Sequence, residues 1–178
     1  MKHTIESIQQ TEQKEFLFFW GHQPSKDGSI IKTCMSQWWP ADFEEDGIVY
    51  KTAEHYMMAG KARLFNDQEI AEKIIAKTSP KDVKDLGRQI RNFDAALWDK
   101  HKYTIVEQGN YLKFSQNNNL KQFLLQTGSK VLVEASPVDP IWGIGLAEDH
   151  ADAKDPLKWK GENLLGFALM EVRDKINN

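Results

Sequence analysis

The helical part of the chain begins with residues 52–65, which read TAEHYMMAGKARLF. Thr52 is a residue type that caps helix N-termini, and Glu54 follows in the first turn, where a carboxylate interacts favourably with the helix dipole. The segment therefore predicts a helix that runs from this cap to Phe65. Because Glu54 and Lys61 are seven residues apart, they share one face of that helix, two turns and roughly 10 Å apart.

Helical signals continue from this segment toward the C-terminus. Asn66 and Glu69 have the spacing of a capping box, and Ser79-Pro80 has the residue types that start a helix, with Gly87 as its expected end. Further helices are expected over about 99–114, over 120–126 and at the C-terminal end of the chain, where Asn163 is the expected N-cap.

Strand signals are few and short. The apolar runs at residues 16–20 and 131–133 predict buried strands, and the Asp46-Gly47 pair predicts the tight turn of a hairpin. These strands are too few and too irregularly spaced for an alternating β/α fold. The sequence therefore predicts an α-rich α+β fold, mostly helical with a few short strands.

Length and charge bound the class of protein. The chain has 178 residues, 40% of them hydrophobic, which is enough to bury a core. We expect a polar lead-in at residues 1–15 and a single compact domain over 16–178. The 23 basic and 26 acidic residues give a net charge of −3, which disfavours a general nucleic-acid binder and leaves a small basic pocket open.

Cysteine usage and the N-terminal residues point to a compartment. Cys34 is the only cysteine, so an intrachain disulfide and a multi-thiolate zinc site are excluded. Residues 1–10 lack the apolar core of a signal peptide, and no apolar run approaches the roughly 20 residues that span a bilayer. We expect a cytoplasmic protein that does not contact a membrane.

Glu54 and Lys61 are the first candidates for chemistry. Residues 57–59 make the neighbouring helix surface apolar, and a carboxylate beside such a surface suits a general acid or base. The alternative is that Glu54 only stabilises the helix and that Lys61 is solvated. The five histidines show no metal-ligand spacing, so His55 is expected to have a surface or packing role, and no metal or cofactor is predicted.

A second group of candidates lies at residues 86–98. Arg88 and Arg91 follow Gly87 and can clamp a phosphate with forked hydrogen bonds, although surface ion pairs are the commoner use of such residues. Trp98 can stack on a flat ligand or anchor the core.

The third group is the loop around Trp142. Glycines on both sides of Ile144 allow a close approach of the backbone or a positive φ, and the indole offers a stacking surface. The alternative is a simple turn. The glycine spacing is not that of a dinucleotide-binding fingerprint.

Four segments together resemble the NADAR family, also called the YbiA-like N-glycosidases. They cover residues 52–62, 86–88, 133–146 and 163–170. Aromatic and polar segments at 18–20, 36–38 and 113–117 also fit, so the likeness extends in order over about residues 16–176.

The resemblance implies a YbiA-like fold and hydrolysis of N-glycosidic bonds to ribose. The implied substrates are phosphoribosylamino-pyrimidine intermediates of riboflavin biosynthesis, which release ribose 5-phosphate, so the partner is a small phosphoribosyl or ADP-ribosyl molecule. One alternative is removal of ADP-ribose from guanine in nucleic acid, the only reading with a nucleic-acid partner. The other is a non-catalytic module that binds ADP-ribose or a nucleotide related to NAD.

The resemblance also implies three functional residues, Glu54, Trp98 and Trp142. Glu54 is expected to stabilise the oxocarbenium-like transition state or to activate water, because cleavage at an anomeric carbon develops positive charge. The two tryptophans are expected to stack on the base. Some relatives have an aspartate two residues after the second tryptophan, whereas this chain has Ile144.

Three further residues complete the predicted site. Lys61 is expected either to bind phosphate or to attack the opened sugar as a Schiff base if its pKa is lowered. Arg88 is expected to contact phosphate, and Trp38, in the segment 36–38, to contribute to substrate binding.

Overall fold

The structure is a computed structural model that describes residues 1–10 and 14–177. Its helices are α1 (Ile5–Gln9), α2 (Ala53–Leu64), α3 (Gln68–Ile75), α4 (Pro80–Gly87), α5 (Ala95–Gln116), α6 (Asn118–Gln126) and α7 (Leu164–Asn177). Its strands are β1 (Phe16–Phe19), β2 (Phe43–Glu45), β3 (Ile48–Tyr50) and β4 (Val131–Glu134). The predicted α-rich α+β class is confirmed. None of these helices has the length and apolar character needed to cross a membrane.

The chain divides into two compact units. Gln37–Asn117 form the continuous unit, and Met1–Ser36 together with Asn118–Asn178 form the discontinuous unit. The single domain expected over residues 16–178 stays a prediction. Residues 11–13 of the expected polar lead-in lie outside the described residues.

The continuous unit opens with the predicted hairpin. Strands β2 and β3 pair antiparallel, with Phe43 opposite Tyr50. Asp46 and Gly47 have φ values of 52° and 78°, and two successive positive φ angles are what a type I′ turn requires. The rings of Phe43 and Tyr50 stack at 5.7 Å, so one face of the hairpin joins the core.

Helix α2 is the centre of the continuous unit and packs against α3, α4 and α5. Its predicted N-cap is confirmed, since the Thr52 side chain accepts a hydrogen bond from the backbone N–H of His55. Where α2 meets α5, a Cβ on Gly60 would lie 2.9 Å from Ile105 Cγ2. Glycine therefore lets the two helices approach closely.

The helices that follow α2 confirm one predicted start and correct two others. Ser79 caps α4 and Pro80 is its first residue, as predicted. The cap of α3 is Asp67 and not Asn66, because Asn66 takes a left-handed conformation with φ 57°. Helix α5 begins at Ala95, four residues earlier than expected, with Asp94 as its N-cap. Trp98 therefore lies in its first turn.

The discontinuous unit is built on a parallel pair of strands. Strand β1 pairs with β4 from Phe16 opposite Val131 to Phe19 opposite Glu134, so both predicted strands are confirmed. Helix α7 packs against β4. Phe19, Leu132 and Leu169 are fully buried among these elements.

Asn163 does not cap α7 with its side chain, contrary to expectation. Its Nδ2 donates to the Leu132 carbonyl at 3.0 Å, and its Oδ1 accepts from the Glu134 N–H at 3.0 Å. The residue is fully buried with φ 55°, so its amide serves the backbone groups of β4, which buried polar groups require.

The N-terminal residues contain a short helix that the sequence did not predict. Thr4 and Ser7 form a reciprocal capping box at α1, and Ile8 is buried. Five residues are too few to show a helical period, so the capping pair was the available signal.

Candidate active site

Glu54 lies in the first turn of α2 and is only 3% exposed. Its backbone N–H donates to the Gln37 carbonyl at 2.9 Å. The Gln37 side chain is itself buried, and its Oε1 accepts from Asn110 Nδ2 on α5 at 2.8 Å. The segment before α2 is thus tied to two helices, which fixes the backbone from which the Glu54 carboxylate projects.

Lys61 lies two turns further along α2, half-buried. Its Nζ donates to the Gly87 carbonyl, at the end of α4, at 3.0 Å. The same ammonium is 4.5 Å from the centroid of the Phe93 ring and 5.6 Å from that of Trp98. Both distances allow a cation–π interaction, so a carbonyl and two aromatic rings hold the ammonium.

The charges of Lys61 and Glu54 act on each other. Burial lowers the pKa of the Lys61 ammonium, and the Glu54 carboxylate opposes that shift. A lysine with a lowered pKa has a larger neutral fraction at neutral pH, which is the form that attacks a carbonyl. The arrangement therefore offers both a buried carboxylate and a lysine suited to act as a nucleophile or as an anion-binding cation.

Phe93 is a part of this arrangement that the sequence did not single out. It is 48% exposed, and its ring meets that of Phe65 edge-on at 5.2 Å. With Trp98 it forms an aromatic wall beside Lys61. Phe93 lies five residues before Trp98, and that spacing does not predict that two side chains share a helix face. Phe93 also precedes α5, which begins at Ala95, so no helical pattern could place it beside Lys61.

Arg88 and Arg91 both bind carboxylates of the protein. Arg88 Nη1 lies 2.9 Å from Asp85 Oδ1, and both side chains are exposed. Arg91 donates from Nε and Nη2 to Asp67 at 3.1 and 2.6 Å, and holds the pKa of that carboxyl well below its usual range. Both arginines thus form ion pairs within the protein, which was the alternative to phosphate binding. The phosphate-contacting role of Arg88 stays a prediction.

Trp38 is half-buried and lies beside α4. Lys84 Nζ of that helix is 5.8 Å from the centroid of the Trp38 ring. Helix α4 also supplies the Gly87 carbonyl that binds Lys61. Trp38 and Lys61 therefore both contact α4.

His55 is held by hydrogen bonds at both ring nitrogens. Nδ1 lies 2.8 Å from Thr52 Oγ1 and Nε2 lies 3.1 Å from the Lys77 carbonyl. Because a carbonyl only accepts, Nε2 carries the proton, and Nδ1 accepts from the Thr52 hydroxyl. Burial lowers the pKa of His55. The expected packing role fits this neutral, doubly bonded ring.

Trp142 belongs to the discontinuous unit, in the loop between β4 and α7. Its backbone N–H donates to Asp139 Oδ1 at 2.9 Å, and its backbone carbonyl accepts from the Leu165 N–H at 3.1 Å. The following Gly143 is required, since a Cβ there would lie 2.7 Å from the Glu134 carbonyl oxygen. The loop backbone is thus fixed, and the indole is half-buried.

Ile144, which stands where some relatives have an aspartate, is fully buried. Its N–H donates to the Glu134 carbonyl at 2.9 Å. The position therefore belongs to the core of the discontinuous unit in this chain. Within the continuous unit, Glu54, Lys61 and Trp98 come together as the predicted site residues, and Phe93 joins them.

Known proteins match this chain over nearly its whole length. The family model for the NADAR domain matches residues 18–177. An N-glycosidase of Acanthamoeba polyphaga mimivirus is 46% identical over 169 residues, which cover 92% of this chain and 98% of that protein. N-glycosidase YbiA of Escherichia coli is 32% identical over 138 residues, covering 78% of this chain and 76% of that protein. The NMR structure of E. coli YbiA matches with a TM-score of 0.73 at 26% identity, covering 98% of this chain and 92% of that one.

Proposed function

This chain belongs to the NADAR family, and we propose that it hydrolyses phosphoribosylamino-pyrimidine intermediates of riboflavin biosynthesis, releasing ribose 5-phosphate. The predicted enzyme class, a hydrolase that cleaves N-glycosyl bonds, is confirmed by relatives at up to 46% identity that are named N-glycosidases. The choice of a small phosphorylated substrate is the proposal. A cytoplasmic location stays a prediction.

One observation carries the proposal: a buried carboxylate and a half-buried ammonium share one helix. Glu54 is 3% exposed, and its charge acts on the ammonium of Lys61. Cleavage of a C–N bond at an anomeric carbon creates positive charge on the sugar, which a nearby carboxylate stabilises. The aromatic wall of Phe93 and Trp98 is a suitable surface for a flat pyrimidine.

In the proposed reaction, Glu54 positions a water molecule and accepts its proton. The water oxygen bonds to the anomeric carbon while the C–N bond breaks, and the leaving nitrogen takes up a proton. The products are ribose 5-phosphate and the free aminopyrimidine, so one water is consumed and no oxidant or cofactor is needed. Trp98 and Trp142 are proposed to stack on the base, and Trp38 to contribute to binding.

Lys61 has two proposed roles that differ in chemistry. As a cation it binds the substrate phosphate, together with Arg88. As a neutral amine it forms a C=N bond with C1 of the opened sugar while the aminopyrimidine leaves, and water then hydrolyses that bond. Burial lowers the pKa of Lys61, which supports the second role.

The nucleic-acid alternative relies on a basic groove of Lys61, Arg63, Arg88 and Arg91. Arg63 and Arg91 already donate to acceptors of the protein, namely the Tyr50 hydroxyl and the Asp67 carboxylate. Binding of many phosphates needs cations available to them. Together with the net charge of −3, these contacts favour a small-molecule substrate.

The test is a product assay with the early riboflavin intermediates as substrates and ribose 5-phosphate as readout. We expect release by the parent protein and a loss of at least about 100-fold in kcat for Glu54→Gln. Glu72→Gln, an exposed residue of α3, is the matched control and should retain activity. Circular dichroism would verify that both variants keep the helical fold.

Three results would overturn the proposal. Full activity in Glu54→Gln would remove the carboxylate from the mechanism. Cleavage of ADP-ribosylated guanine in an oligonucleotide, without release from the free intermediates, would select the nucleic-acid alternative. Saturable ADP-ribose binding with no product from either substrate would select the non-catalytic module.

Borohydride reduction during turnover separates the two roles of Lys61. If Lys61 forms the C=N bond, the reduced adduct should appear on the peptide that contains residue 61, and Lys61→Arg should abolish turnover. If Lys61 only binds phosphate, no adduct should form, and Lys61→Arg should mainly raise KM, because the charge remains.

A further inference from the structure

The discontinuous unit contains a cavity of about 380 Å³ that the proposed reaction does not use. It lies between the N-terminal residues, the start of β4 and the C-terminal half of α7. A cavity of this volume falls in the range of small-molecule sites, about 300–1,000 Å³.

The lining of this cavity is strongly basic. Lys2, Lys14 and Arg173 contribute three basic side chains, and His3 adds an imidazole, against the single carboxylate of Asp174. The chain as a whole has a net charge of −3. A local excess of positive charge in an acidic protein concentrates anions at that place.

Arg173 is the fixed centre of the basic lining. It is only 6% exposed, and its Nη1 donates to Thr127 Oγ1 and to the Lys130 carbonyl, both at 2.8 Å. Its Nε and Nη2 donate to no acceptor among residues 1–10 and 14–177. A guanidinium held at one nitrogen, with its fork still available, is suited to bind the oxygens of a phosphate.

Electrostatics support an anionic occupant. Burial lowers the pKa of Arg173, with Asp174 opposing the shift, so the cation is held in a place where its charge is not fully compensated. Asp174 is already engaged with Lys2 Nζ and with His3 Nε2, the latter at 3.0 Å. An anion would therefore lower the cost of burying the Arg173 charge.

The remaining lining is apolar and indicates the shape of the ligand. Ile8 of α1, Val131 of β4 and Met170 of α7 line the same cavity. Ile8 and Met170 are 3% and 5% exposed, so each presents a narrow edge to the cavity. An occupant that carries both an anionic group and an apolar part would satisfy both kinds of lining.

We propose that this cavity binds a small phosphate monoester. The phosphate contacts Arg173 and Lys14, and the apolar part of the ligand packs against Ile8 and Met170. The residues involved are different from those of the proposed active site, so the two sites can be tested separately.

The test is an NMR titration of the full chain, followed at the amides of Gly128 and Ser129, which also line the cavity. The probes are inorganic phosphate and phenyl phosphate. Both should shift these amides, and phenyl phosphate should bind at least about fivefold more tightly, because its ring is removed from water. Lys61→Gln, which removes the ammonium proposed to bind phosphate at the active site, should give the same shifts, so binding at the active site is not their cause.

Variants locate the phosphate. Lys14→Gln should weaken binding of phenyl phosphate about two- to fivefold, whereas Lys154→Gln, an exposed lysine of the same unit that does not line the cavity, should bind as the parent does. Arg173→Lys keeps the charge and removes the fork, and should weaken binding further. Equal affinities in the two lysine-to-glutamine variants, or no shift at Gly128 and Ser129, would overturn the proposal.

Discussion

Glycines allow close packing in both units, but what they pack against differs. In the continuous unit, a Cβ on Gly60 would meet the side chain of Ile105, and one on Gly87 would meet Met58 Sδ. In the discontinuous unit, a Cβ on Gly143 or Gly166 would meet a backbone carbonyl oxygen of β4. The first kind of neighbour is a side chain, the flexible end of Met58 or the Cγ2 branch of Ile105, and the second is part of a paired strand.

This difference predicts how each unit responds to added volume. A methionine side chain can change rotamer, and an isoleucine branch can shift together with its helix, so a helix crossing can adapt at moderate cost. A strand carbonyl can move only with its strand, and the Leu132 carbonyl also accepts a hydrogen bond from Asn163. We therefore expect glycine substitutions to be more harmful in the discontinuous unit than in the continuous one.

The largest effect is expected for Gly166→Ala. The new Cβ would collide with the Leu132 carbonyl oxygen and with the side-chain amide of Asn163, so α7 must move away from β4. We expect the free energy of unfolding to fall by about 3 kcal/mol or more. Urea unfolding followed by tryptophan fluorescence would measure it, and a loss below about 1 kcal/mol would contradict the comparison.

A smaller effect is expected for Gly87→Ala. Met58 must shift to admit the new Cβ, at a cost of about 1–2 kcal/mol in unfolding free energy. Because the Gly87 carbonyl binds Lys61 Nζ, kcat should also fall, and by more than the loss of unfolding free energy alone would explain. Measuring kcat and urea midpoint on the same preparation checks this, and unchanged activity with a large loss of stability would speak against it.

Gly60→Ala should be close to neutral. The Cβ would lie 2.9 Å from Ile105 Cγ2, which costs packing energy, but replacing a mid-helix glycine with alanine gains up to about 1 kcal/mol of helix stability. The net change in unfolding free energy should be within about 1 kcal/mol of zero. A loss as large as that of Gly166→Ala would remove the distinction between the two kinds of neighbour.

The smallest expected effect is a pH dependence from His55. Burial lowers its pKa, so the unfolded chain binds a proton at a higher pH than the folded chain does. The contribution of the neutral His55 ring to stability is therefore fully present above the unfolded pKa of about 6.5. It is lost as the pH falls toward the pKa of His55 in the folded protein. His55→Gln should flatten this slope, whereas His101→Gln, an exposed histidine, should leave it as in the parent; equal slopes would refute the assignment.

Local signals in the sequence predict most of the continuous unit. Thr52, the Asp46-Gly47 turn and Ser79-Pro80 act through groups within three or four residues of each other, and all three predictions are confirmed. The cap of α3 was predicted one residue early. Asn66 has the right residue type and spacing, but the Asp67 carboxylate also binds Arg91, 24 residues away, and spacing does not show such a partner.

The candidate site was predictable to the same extent. The shared face of Glu54 and Lys61 follows from the helical period alone. The Gly87 carbonyl and the Phe93 ring around Lys61 come from two further segments, and only their packing on α2 brings them there. In the discontinuous unit, the strand partners of Asn163 were likewise beyond the reach of a local pattern.

The parallel pairing of β1 with β4 also constrains how the chain is made. Residues 16–19 leave the ribosome more than a hundred residues before their partners at 131–134. The Phe-Leu-Phe-Phe segment therefore remains unpaired until β4 has been synthesised. The continuous unit, by contrast, can complete its contacts as soon as residue 117 has emerged. During translation, the apolar N-terminal strand is therefore the segment most exposed to wrong pairing, and the one for which a chaperone would matter most.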